Sequence, residues 1–75
     1  MHIKIEGLSE NAYDNMLDDC GIRLFTSVGN FHDNVCDVII SRDTIVKVNG
    51  DTIWFDLGGM KTDIYRNEFI AITIS

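Results

Sequence analysis

Three observations predict an α+β domain in which one N-terminal helix packs on a strongly curled antiparallel sheet. Asn49-Gly50 lies between two runs rich in Val, Ile, Phe and Trp, the pattern of a hairpin closed by a two-residue turn. Residues 10–20 carry apolar side chains at helical spacing on one side and polar ones on the other. The rest of the chain reads as a first strand and about six more strands separated by short turns, which places one helix against mostly antiparallel structure.

Residues 2–6 alternate polar and apolar with period two, so Ile3 and Ile5 point inward from a half-buried strand. Gly7 breaks that strand, and Ser9 is an N-cap whose hydroxyl can accept from a first-turn amide. Glu10 suits the positive end of the helix dipole, and Leu8 with Tyr13 has the spacing of a hydrophobic staple. Ala12, Tyr13, Met16, Leu17 and Cys20 form the packing stripe of a helix over residues 10–20. Gly21 then suits the C′ position, with Ile22 touching Leu17.

Residues 22–28 alternate as a second strand, with Leu24, Thr26 and Val28 on one side and Phe25 on the other. Residues 29–34, reading GNFHDN, make a polar loop. A continuous apolar run at 35–41, interrupted by Asp37, predicts a strand buried on much of both faces or central in the sheet. Arg42-Asp43 turns the chain into the hairpin. With Asn49-Gly50 as a type I′ turn, Val46 faces Ile53, Ile45 faces Trp54 and Thr44 faces Phe55. Val46, Ile53, Phe55 and Leu57 then share the inward face, opposed by Ile3, Ile5, Leu24, Ile64, Ile70 and Ile72. Ile45 and Trp54 share the outward face. Gly58-Gly59 turns the chain, residues 60–65 form a strand, and Arg66-Asn67-Glu68 makes a short turn. A last strand, residues 69–74, ties the end of the chain into the sheet.

The second half, through DTIWFDL, MKTDIY and FIAITI, resembles SH3-like and Sm-like small barrels in strand order and patterning. Sm-like proteins bind RNA with basic and polar loop residues, which the matching loops of this chain do not offer. Only the shape is carried over from that resemblance.

The 75 residues make one domain, 1–75, near the size at which a single core needs help from oligomerisation or a partner. Twelve acids against six bases give a net charge of −6, which repels phosphate backbones and anionic lipid. Nucleic acid and membrane are therefore disfavoured partners. The stretch 1–20 holds five acids against Lys4, a net −4, and is the acidic pole. No apolar run is long enough to span a bilayer and no signal peptide is visible, so a cytoplasmic protein with reduced thiols is the expectation.

No cofactor or metal is expected. His32 and Cys36 are zinc-type donors, but their spacing matches no zinc signature, so a surface histidine and a buried thiol are the simpler reading. Neither cysteine has a base in motif context, and twelve carboxylates in a short chain guarantee chance neighbours. No enzyme is expected.

Two features remain as candidate partner-binding elements. Glu10, Asp14 and Asp18 recur at i, i+4 and i+8, a ladder of carboxylates with about 6 Å steps on one helix face. Asp18 and Asp19 also place negative charge in the last turn, against the dipole. The second feature is the outward pair Ile45 and Trp54, apolar anchors with no assigned cover. Together they predict a non-enzymatic module whose acidic face steers a basic protein partner and whose apolar residues fix the contact. A homo-oligomeric assembly protein, including a homodimer, and a nucleic-acid-binding small barrel are the alternatives. In size, acidity and lack of catalytic motifs the chain resembles small phage and mobile-element inhibitor proteins, anti-CRISPR proteins among them. That likeness implies a stoichiometric inhibitor of a host defence or nucleic-acid-handling protein.

Overall fold

The computed structural model describes residues 2–20 and 26–75. Within them lie seven strands, one α-helix and one 3-10 turn: β1 Ile3–Ser9, α1 Glu10–Cys20, β2 Thr26–His32, β3 Val35–Ile40, β4 Ile45–Asn49, β5 Thr52–Asp56, β6 Lys61–Tyr65, the 3-10 turn Arg66–Glu68, and β7 Ala71–Ile74. The expected helix ending at Gly21 and Ile22, the start of the second strand and Phe25 lie outside the described residues.

The class is α+β, but the strands divide into two antiparallel sheets and do not close a barrel. Sheet A has the order β2-β3-β1-β7 and sheet B the order β4-β5-β6. Each turns one face to a shared core of Ile3, Ile5, Leu8, Val38 and Ile40 from sheet A, Ile53, Phe55 and Ile64 from sheet B, and Ala12 and Met16 from α1. The helix packs on β6 and β1 and so seals the space between the sheets.

α1 begins where the sequence places it. The Ala12 amide donates to Ser9 Oγ at 3.1 Å, which satisfies one of the amides a helix start leaves unpaired. A second, that of Glu10, donates to the Asn34 carbonyl at 3.0 Å. Gly7, however, does not break β1. It sits at φ +64 where the pairing with β3 steps from Ile5↔Val38 to Leu8↔Cys36, so β1 carries one extra residue there. That bulge reverses the alternation, and both Ile5 and Leu8 reach the core as a result.

Two other expectations change for related reasons. Residues 29–34 are not a loop: β2 continues to His32 and joins β3 through Asp33-Asn34, both at positive φ (51 and 63), the backbone of a type I′ turn. The Asn49-Gly50 hairpin exists, but its turn is Gly50-Asp51. Asn49 pairs with Thr52, and only Gly50 takes positive φ (61), the pattern of a type II′ turn with glycine first. Pairing slides by two residues, so every side chain keeps its expected face while its neighbour changes: Val46 meets Phe55, Lys47 meets Trp54 and Ile45 meets Asp56.

β6 places Thr62 and Ile64 inward as expected, and β3 is an interior strand of its sheet. Ile70 is a correction: it is 80% exposed, because it lies in the bend before β7 and rests over Gly7 outside the core. The end of the chain is tied down, with reciprocal bonds of 2.8 and 2.9 Å between the backbones of His2 and Ser75.

Candidate functional site

Sheet B is a three-stranded meander with one face on the core, so its other face is defined by parity alone. Cross-strand pairing arranges that outward face in rows: Ile45, Asp56 and Lys61; then Lys47, Trp54 and Asp63; then Asn49, Thr52 and Tyr65. Trp54 stands at the centre with 43% of its surface exposed, and Ile45 at the corner with 59%. The face is an open depression of about 480 Å³ whose lining includes Ile45, Lys47, Trp54, Asp56 and Lys61. Partial burial of an indole among lysine stems and a branched aliphatic leaves a flat apolar spot with charged margins.

Ile45 and Trp54 are thus brought onto one face, as diagonal neighbours instead of direct partners. The acidic residues are somewhere else. Glu10, Asp14 and Asp18 are exposed along α1, and α1 lies against β6 on the core side of sheet B. Thr62, buried on that side, donates its hydroxyl to Asp19 Oδ2 at 3.0 Å. Sheet B therefore stands between the helix and the Trp54 side chain, so the acidic residues and the apolar pair occupy two surfaces. Asp19 also acquires a structural task, pinning the helix C-terminus to β6.

The outward face contains residues that the sequence reading did not single out. Lys47 and Asp63 flank Trp54 on either side, at the roughly 5 Å spacing of directly opposed residues. Period-two alternation from Trp54 carries the signal for both. The two-residue slip in the assumed turn hid it, because that register set Lys47 against Thr52.

Cys36 and His32, the residues of the thiol and metal readings, both lie on sheet A. Cys36 is fully buried beneath the helix start and is a free thiol. Burial, followed by the negative charges of Glu10, Asp37 and Asp14, pushes that thiol above its ordinary value. His32 is exposed and sits 3.0 Å from Asp33, not on Cys36. Among the described residues no three His, Cys, Asp or Glu side chains cluster as metal ligands. No helix there is long and apolar enough to cross a membrane. Set against known proteins, the chain matches no family model, no curated protein sequence and no solved structure.

Proposed function

We propose that this chain is a non-enzymatic protein-binding module that uses two separate surfaces, the Trp54 face of sheet B and the carboxylate ladder of α1. Its action, on this reading, is that of a small phage or mobile-element inhibitor of the anti-CRISPR type, occupying a host defence or nucleic-acid-handling protein stoichiometrically in the cytoplasm. The observation that carries the reading is the half-exposed Trp54 at the middle of a sheet face that no described element covers. An indole held rigidly in a regular strand binds at little entropic cost, which is why tryptophan dominates contact energetics. The exposed ladder of Glu10, Asp14 and Asp18 supplies the long-range attraction for a basic partner. The likeness of the second half to SH3-like barrels belongs to the same proposal, a three-stranded meander being a natural platform for protein contact.

Capture from host lysate with the purified protein tests this directly. Asp14→Lys with Asp18→Lys should reduce capture of a basic partner by about tenfold or more, since two attractive charges become repulsive. Undiminished capture would remove the ladder from the mechanism. Retention of the protein on nucleic acid at low salt would replace the reading with that of a nucleic-acid-binding domain.

A further inference from the structure

The Trp54 face differs from the rest of the molecule in charge. The chain carries −6, yet this face holds Lys47 and Lys61 against Asp56 and Asp63, and the four cancel. Neither Lys47 nor Asp63 forms an ion pair with another described residue. A locally neutral patch on an acidic protein offers little to a strongly basic partner. It suits a surface of the same composition.

The arrangement of those charges is specific. β5 is the middle strand of sheet B, with Lys47 on β4 and Asp63 on β6 in the same row as Trp54. A two-fold axis lying in the plane of contact and running along β5 exchanges β4 of one copy with β6 of the other. Lys47 then meets Asp63 twice, Trp54 packs on Trp54 at the axis, and Ile45 receives the stem of Lys61. Turning the axis by a right angle sets Lys47 against Lys47 and Asp63 against Asp63, so the pattern selects one orientation. Parallel strands in that arrangement also match aligned sheet-on-sheet packing, in which strand directions differ by about 30°.

We propose that the occupant of the Trp54 face is a second copy of this chain, packed about a two-fold axis along β5 with Lys47 of each copy against Asp63 of the other. The inference rests on the reading of this face as a protein-contact surface and names its partner. Three five-residue strands span about 17 Å by 14 Å, so two copies bury on the order of 500 Å² in total, well below the standard range for stable complexes. The dimer is accordingly weak and reversible. Its one unfavourable contact is Asp56 against Asp56 on the axis, each flanked by its own Lys61.

Sedimentation velocity from about 1 μM to 1 mM should show the weight-average mass rising from monomer toward dimer. Trp54→Ser should abolish the rise, and Asp56→Asn should tighten the dimer by several-fold. Lys47→Asp alone and Asp63→Lys alone should each be monomeric, because each sets like charges together. An equimolar mixture of those two variants should dimerise again, since every charge then meets its opposite, and that recovery also shows both variants to be folded. A wild-type protein that stays monomeric throughout overturns the proposal, as does a Trp54→Ser variant that dimerises undiminished or a mixture that fails to recover. If the wild type is monomeric while Trp54→Ser loses capture of a host protein, the face belongs to a different partner, and the protein-binding reading survives without the dimer.

Discussion

The carboxylate of Asp37 accepts a hydrogen bond from each of the strands beside it: the Gly7 amide at 3.0 Å from β1 and the Asn30 side chain at 2.8 Å from β2. Both neighbours are irregular at that level. β1 has its extra residue at Gly7, and β2 has one beside Asn30, which sits at φ 55. At Gly7 the aspartate takes up the backbone amide that the bulge leaves without a ladder partner, and at Asn30 it holds the side chain of the irregular residue. The hydrogen bond from Asn30, then that from Gly7, holds the Asp37 carboxyl below its ordinary 3.8. A depressed folded-state value stabilises the fold above the unfolded value, and that contribution is lost as pH falls through the folded one. Urea denaturation should therefore find Asp37→Asn less stable than the wild type at neutral pH, with the gap closing below about pH 3.8. A gap that stays constant into acid would mean that the charge of Asp37 plays no part.

At the scale of elements, the two hairpins divide the available turn chemistry in an unexpected way. Asp33-Asn34 takes the double positive-φ turn, while Asn49-Gly50 does not. In the latter only Gly50 bends the chain, and Asn49 is an ordinary ladder residue opposite Thr52. Gly50→Ala should cost about 1 kcal/mol or more, since a Cβ is strained at positive φ, whereas Asn49→Ala should cost less than about 0.5 kcal/mol. Equal costs in thermal denaturation would put the turn back at Asn49-Gly50.

These cases show what local pattern conveys. Strands β1, β3, β5 and β6 and the helix were legible because alternation and capping are local. Bulges were not, because a lone glycine reads equally as a break and as an inserted residue. β2 was cut short because Gly29 to Asn34 is polar in composition, although its backbone finishes the hairpin. The outward position of Ile45 and Trp54 followed from parity. Their separation from Glu10, Asp14 and Asp18 did not, because the choice of sheet face for the helix is made by packing between distant segments.

For the whole molecule, charge and shape make opposing demands. Two copies of charge −6 whose centres lie some 25 Å apart repel by about 6 kcal/mol in unscreened water. Raising salt from about 0.01 to 0.15 M shortens the screening length from about 30 to 8 Å and removes roughly 2 kcal/mol of that repulsion. The Lys47–Asp63 contacts lose only part of this, so self-association should tighten by about tenfold across that range. Capture of a basic partner by the helix ladder should weaken over the same range, because there the charges attract. Parallel titrations of the two activities against salt would separate the surfaces without any mutation, and a common direction would count against their independence.

Sheet B is a meander in which each strand pairs with the next, whereas β1, inside sheet A, pairs with β3 and β7. That difference sets a timetable for folding. Local pairings close quickly and distant ones wait for the chain entropy of a large loop to be overcome, so the meander can form early and sheet A closes late. During synthesis the contrast is sharper, since β1 cannot complete its pairing until β7 follows. Until then the apolar sides of Ile3, Ile5 and Val38 lack the full sheet that shields them. The apolar residues of β1 thus stay without one of their two neighbouring strands until residues 71–74 have been made.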